Sequence, residues 1–204
     1  SNPTAASATL TVASLKINVN KSFSPNTVFG GSASTLTLTL SNPNNAVLTG
    51  VAFTDTFPSG MFIAAPASPT TTCGGTVVAV PNANSFSFSG GTIAANTECY
   101  ITVQTTMNVI NTLTNTIPIG AVTTTNGAKN EEVVQASLGN LALATVKKVF
   151  FDNSIEVGES TTMQVTISNK TNVELTGLGL VDVLPENMTP VLPLTASQCN
   201  GGTV

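Results

Sequence analysis

Lys21, Asp55 and Asn115 are the residues whose types and positions could do chemistry together. Alternation along three apolar stretches puts each on the face that should be buried. Lys21 is in register with Ile17, Val19 and Phe23, Asp55 with Val51, Phe53 and Phe57, and Asn115 with Leu113, Ile117 and Ile119. A charge in an apolar interior is costly unless it is paired, so the three side chains are expected to meet. Burial disfavours the ammonium form and leaves Lys21 a neutral, nucleophilic amine. A buried, protonated Asp55 would donate a hydrogen bond to the Asn115 carboxamide and polarise it. Attack with loss of ammonia would then join an early strand to a late one through an intramolecular isopeptide bond. The plainer alternative is a buried Lys-Asp ion pair with Asn115 hydrogen-bonded to it. Asn126 and Asn130 are weaker substitutes for Asn115, because NGAKN reads as a turn.

The elements that must position these residues are strands. TLTLTL places Leu36, Leu38 and Leu40 on one face and Thr35, Thr37 and Thr39 on the other. Similar short runs are expected at Leu10 to Phe23, Val47 to Phe57, Thr76 to Val80, Ser85 to Phe88, Glu98 to Met107, Thr112 to Ile119 and Glu132 to Leu138, with Gly, Pro or Asn between nearly every pair. No apolar period of 3.6 residues is sustained, so almost no helix is expected. Strands at this spacing predict an antiparallel β-sandwich of immunoglobulin-like type.

The chain also repeats itself. A shift of 127 lays Val19 to Met61 on Val146 to Met188 with 16 identities in 43 positions, and Lys21 and Asp55 fall on Lys148 and Asp182. Tandem immunoglobulin-like sandwiches are therefore expected, the second incomplete. Residues 1–12 form a linker or donor segment, 13–139 the first repeat, and 140–204 the N-terminal half of the second. Val204 corresponds to about position 77, so the later strands of the second sandwich have no counterpart in this sequence. They would come from a continuation of the chain or from a neighbour, for which Ala5 to Val12 is a candidate donor strand.

Cys73 and Cys99 both lie in the first repeat, and Cys199 matches Cys73 after a one-residue gap. A Cys73–Cys99 disulfide is expected, which implies an oxidising compartment, and Cys199 is left without its counterpart partner. The alternative is three free thiols. With no His and no CxxC, no zinc site is expected. Asp152, Asn153, Glu156 and Glu159 are close enough in sequence to suggest calcium, but a solvated loop is the simpler reading.

Charged residues are 8% of the chain, the formal net charge is −4, and there is no basic run, so neither nucleic acid nor anionic lipid is an expected partner. No apolar run is long enough to span a bilayer, and SNPTAASATL does not read as a signal peptide. A surface of Thr, Ser and Asn suits an extracellular stalk. No GxSxG elbow, phosphate loop or nameable carboxylate pair is present, so no enzyme activity and no cofactor are expected. The Thr ladder could suggest ice binding, but a single ladder is more simply the wet face of a sheet.

The segments GGSASTLTLTLSNPNNAVLTGVAFTDTFPSGM and GESTTMQVTISNKTNVELTGLGLVDVLPENM resemble the bacterial cell-surface conserved-repeat family, domain of unknown function eleven. The shared features are SN at 41–42, TDTFP at 54–58 and LTNT at 113–116; the second copy keeps Asp182 and Pro185 but has Asn where the first has Gly60. That resemblance implies Ig-like repeats strung along exported surface proteins. The Lys, Asp and Asn pattern is also similar to the isopeptide domains of Gram-positive pilins and collagen-binding adhesins. The expected role is a stalk or spacer repeat of a cell-surface adhesin whose partners are neighbouring repeats. The alternative is a filament subunit assembled by strand complementation.

Overall fold

The computed structural model describes residues 14–171 and 174–192. The candidate donor Ala5 to Val12 and Cys199 lie outside the described residues. Among those described there are strands and no helix. Two compact units form, residues 1–142 and 143–204.

The first unit is a β-sandwich. One layer contains β1 (Asn18–Ser24), β3 (Ser34–Ser41) and β9 (Glu98–Met107) in antiparallel array. Two short strands, β5 (Met61–Ile63) and β6 (Thr70–Thr71), also pair with β9. Two further three-stranded sheets complete the sandwich. In one, β8 (Ser85–Ile93) lies between β4 (Leu48–Thr56) and β7 (Thr76–Ala79). In the other, β11 (Val134–Leu141) lies between β10 (Asn111–Ile117) and β2 (Thr27–Phe29), with β2 parallel to β11.

Alternation drives this arrangement. Leu36, Leu38 and Leu40 are fully buried while the threonines between them are half-exposed, as a strand with one dry face requires. Between the paired strands β4 and β8, Phe53 packs edge-to-face on Phe86 and tilted against Phe88, giving the interior its bulk in the absence of Trp. Strand β4 departs from strict alternation. Leu48 and Val51 are both buried although three residues apart, because the strand bulges around Gly50. Gly50 has φ +62°, and a Cβ there would stand 2.3 Å from Thr125 Cγ2. The bulge resets the parity so that Val51, Phe53 and Asp55 all face inward.

Three buried asparagines fasten the turns. Asn42 donates from Nδ2 to the carbonyls of Ala46, Ile93 and Ala94, and its Oδ1 accepts from the backbone of Asn44. Asn130 and Asn140 do the same work for the carbonyls of Pro118 and Glu132 and of Met107 and Val109. Strands β2, β5 and β6 were not expected from the sequence; at two or three residues they are too short to show a period. Ile119, expected inside, is 62% exposed, because β10 ends at Ile117 and Pro118 begins a turn closed by Ala121.

In the second unit, β12 (Ala144–Phe150) pairs with β13 (Met163–Asn169). Its register is that of β1 on β3 moved by 127: Lys148 faces Val165 as Lys21 faces Leu38, and Phe150 faces Met163 as Phe23 faces Leu36. The turn Pro185–Met188 closes with the same 3.1 Å backbone hydrogen bond as Pro58–Met61. There Asn187 takes a positive φ (+67°) where the first unit has Gly60 (+94°), a conformation asparagine tolerates better than most residues. The expected third strand, ELTGLGLVDVLP, does not form. In the first unit its counterpart β4 gains its ladder from β8, and the positions matching β8 fall after Val204.

Asn42→Ala should lower stability by roughly 2–4 kcal/mol, since several buried carbonyls lose their donor at once. Asn45→Ala, removing one exposed side-chain contact to Asn96, should stay within about 0.5 kcal/mol. Urea unfolding of both variants checks the difference.

Candidate functional site

Strands from three different sheets bring the central residues together. Lys21 lies mid-way along β1, Asp55 near the end of β4, and Asn115 in the middle of β10. Their side chains meet inside the sandwich. Lys21 Nζ lies 2.7 Å from Asp55 Oδ2, with both side chains fully shielded from solvent. Asn115 is likewise buried and donates from Nδ2 to both carboxylate oxygens, at 3.1 Å to Oδ1 and 3.0 Å to Oδ2. The amine and the amide nitrogen therefore approach the same oxygen.

Two polar atoms at this site remain uncommitted. Nζ is close to Oδ2 but makes no well-directed hydrogen bond, and Asn115 Oδ1 has no partner. Unsatisfied buried polar atoms are uncommon and call for an explanation. The carboxamide is also oriented differently from expectation. Asp55 was expected to polarise the amide through its carbonyl, whereas Nδ2, the only donor on the group, is the atom turned to the carboxylate.

Burial sets the protonation of the pair. Desolvation pushes Lys21 below its ordinary value, against the attraction of the Asp55 carboxylate, which acts the other way. Desolvation likewise pushes Asp55 up, against Lys21 and Asn115. Both directions favour neutral amine beside neutral acid, and the low-dielectric surroundings make desolvation the winning effect.

The substitutes for Asn115 are engaged elsewhere. Asn126 accepts from the backbone of Thr49 and donates to Val47, fixing the start of β4, while Asn130 holds the turn after β10. In the second unit Lys148 Nζ lies 2.8 Å from Asp182, with the two side chains 35% and 29% exposed. Lys148 also sits 5.6 Å from the centre of the Phe150 ring. The acidic loop directs its carboxylates inward on itself: Asp152 accepts from Thr161, and Glu159 from the backbone of Glu156. Among the described residues no cluster of acidic or sulfur ligands suited to a metal is found, and no helix is long and apolar enough to cross a membrane.

Cys73, just past β6, and Cys99, in β9, are disulfide-bonded with Cα atoms 5.1 Å apart. The bridge binds the loop that carries β6 to the middle of the sheet.

Residues 18–139, more than half of the chain, match the domain of unknown function DUF7933. The chain belongs to this family. The DUF7933 match spans β1 to β11, so the Lys21, Asp55 and Asn115 cluster and the disulfide all lie inside the family's domain. No curated protein matches. Among solved structures, a cohesin module from a family 33 glycoside hydrolase of Clostridium perfringens ATCC13124 is 10% identical, with a TM-score of 0.44 over 63% of this chain and 97% of that one. A chain of the Coh-OlpC-Doc435 complex, a type I cohesin-dockerin complex from Clostridium thermocellum ATTC 27405, is 9% identical with a TM-score of 0.43 over 66% of this chain and 100% of that one.

The Cys73–Cys99 bridge closes a loop with a sequence separation of 26. Loop-closure entropy predicts that replacing both cysteines with serine costs roughly 3 kcal/mol. Thermal unfolding of the double variant against the parent, both non-reduced, measures it.

Proposed function

We propose that the chain is a load-bearing spacer of an exported cell-surface protein, and that Lys21 and Asn115 become joined by an isopeptide bond. One observation carries this reading: a lysine, an aspartate and an asparagine from three sheets share one solvent-free site, with the lysine nitrogen and the asparagine carbonyl oxygen lacking hydrogen-bond partners.

The chemistry needs only these three residues. A proton passes from the Lys21 ammonium to the Asp55 carboxylate, in the direction burial favours for both groups. The neutral amine attacks Cγ of Asn115, forming the Nζ–Cγ bond. Asp55 delivers a proton to Nδ2, the atom already directed at it, and takes one from the attacking nitrogen. The Cγ–Nδ2 bond breaks and ammonia departs. Amine and primary amide become secondary amide and ammonia with no oxidant, and Asp55 returns to carboxylate when the departing ammonia carries off its remaining proton as ammonium. The result ties β1 to β10, so tension entering before Lys21 passes across the bond rather than through the residues between positions 21 and 115.

The setting supports export. A disulfide persists in oxidising compartments, and the surface of Thr, Ser and Asn with 8% charged residues resembles the cell-surface repeats named above. A filament subunit is the second reading. It is favoured by apolar side chains left exposed in the second unit, among them Val146 (56%), Leu178 (57%) and Leu180 (50%).

Intact mass decides the crosslink. After allowance for the disulfide, the chain should be one ammonia lighter than its sequence requires, and Lys21→Ala, Asn115→Ala and Asp55→Ala should each restore the full mass. Full mass in the unsubstituted folded chain removes the proposal. Pulled from its ends, the parent should resist extension over residues 21–115, and Lys21→Ala should release it.

Formation of the bond should be bell-shaped in pH. The reactive state holds a single proton between amine and acid. At low pH a second proton leaves Lys21 an ammonium with no lone pair. At high pH loss of the only proton leaves Asp55 unable to protonate the departing nitrogen. Ammonia loss followed by mass in chain made unfolded by cell-free synthesis, then refolded across a pH series, gives the profile; a monotonic rise with pH would show that Asp55 does not act as the acid.

A further inference from the structure

The second unit reproduces half of the site. Lys148 stands on β12 where Lys21 stands on β1, at the same place in an equivalent register, and its Nζ reaches Asp182 at 2.8 Å as Lys21 reaches Asp55 at 2.7 Å. The backbone around Asp182 keeps its landmarks: Gly177 has φ +67° against +62° at Gly50, and the turn after Pro185 matches the turn after Pro58. The surroundings differ, since the Lys148 and Asp182 side chains are 35% and 29% exposed where those of Lys21 and Asp55 are fully shielded. Leu178 and Leu180 are 57% and 50% exposed, whereas the matching Val51 and Phe53, on a strand paired with β8, are 0% and 5% exposed. The residue matching Asn115 would fall at position 242 by the same shift, past Val204.

We propose that Lys148 and Asp182 are the amine half of a second crosslinking site, and that its occupant is a polypeptide segment patterned like residues 78–141 of this chain. That pattern follows from the first unit. There β8 lies beside β4 and gives it its ladder, the sheet edge beyond β3 is filled by β9, and the amide arrives on β10, so one continuous segment supplies all three. The alignment CGGTV with CNGGTV sets Val204 on Val77, so a segment continuing the pattern begins at the counterpart of Val78. Docking removes Lys148 and Asp182 from water, which favours neutral amine and acid as it does in the first unit. The amine then attacks the asparagine Cγ, the Cγ–Nδ2 bond breaks, and ammonia leaves with a proton delivered by Asp182. This inference rests on the crosslinking reading of the first unit.

The test extends the full chain past Val204 with a copy of residues 78–141. Two ammonia molecules should be lost instead of one. Lys148→Ala, or alanine in place of the grafted copy of Asn115, should return the count to one while leaving the first bond intact. As a second measurement, the separate 78–141 polypeptide is mixed with the unextended chain. An adduct weighing one ammonia less than the sum, abolished by Lys148→Ala, supports the proposal and shows that the strands can come from another molecule. A count of one in the extended chain together with no adduct overturns it. A count of zero removes the crosslinking reading of the first unit and this proposal with it. A non-covalent complex only, with the first bond present, also overturns it.

Discussion

Desolvation of one lysine and one aspartate is the constraint around which the first unit is built. An ammonium and a carboxylate withdrawn from water lose far more solvation than one short contact returns, unless the geometry is good and the remaining lone pairs and protons are satisfied. Here they are not all satisfied: Nζ lacks a well-directed partner and Asn115 Oδ1 lacks any. A core of leucine, isoleucine and phenylalanine at this position would be the cheaper way to hold the layers together. The arrangement is what the proposed crosslink would need: burial favours the neutral partners, and Nζ, the atom that would attack, is the one left without a well-directed partner.

The rest of the sandwich serves that placement. Lys21 reaches the interior only because β1 alternates without interruption, exposing Asn18, Asn20 and Ser22 and burying Lys21 and Phe23. Asp55 reaches it only because β4 bulges at Gly50; without the extra residue, Leu48 and Asp55 could not both point inward. Asn115 is held by β11 along the whole of β10, from Asn111 opposite Asn140 to Ile117 opposite Val134. The disulfide and the three buried asparagines act at the ends of strands, where a sheet without helices has turns to fasten and few other means of fastening them.

Alternation made much of this legible in advance. Period two identified the buried faces of β1, β3, β4 and, as far as Ile117, β10, and the oddity of polar residues on those faces singled out Lys21, Asp55 and Asn115 as residues that must meet. What stayed hidden depends on partners distant in sequence. Strands β2, β5 and β6 exist because β11 and β9 offer them edges, and no local pattern of two or three residues records that. The structural role of Asn42 was also missed, although its recurrence as Asn169 with the same side-chain turn to the residue two places on was a usable signal. The orientation of the Asn115 amide could not be read from a sequence at all, since it follows from which of its two polar atoms the carboxylate can accept from.

The second unit shows most directly how far local sequence reaches. LTGLGLVDVL carries the alternation and the bulge glycine of β4, yet forms no strand, while Lys148 and Asp182 still find one another. Pairing within β12 and β13 is local enough to form from its own residues, and the ion pair needs only two long-range neighbours. A strand needs a ladder: its backbone N–H and C=O groups must meet those of another strand, and an apolar face gains nothing from extension while water covers it. The amine and acid of this site are thus encoded in the first half of a repeat. The dry surroundings that bury them in the first unit are encoded in the second half. The proposed bond therefore depends on closure of the sandwich, since only closure takes both amine and acid out of water.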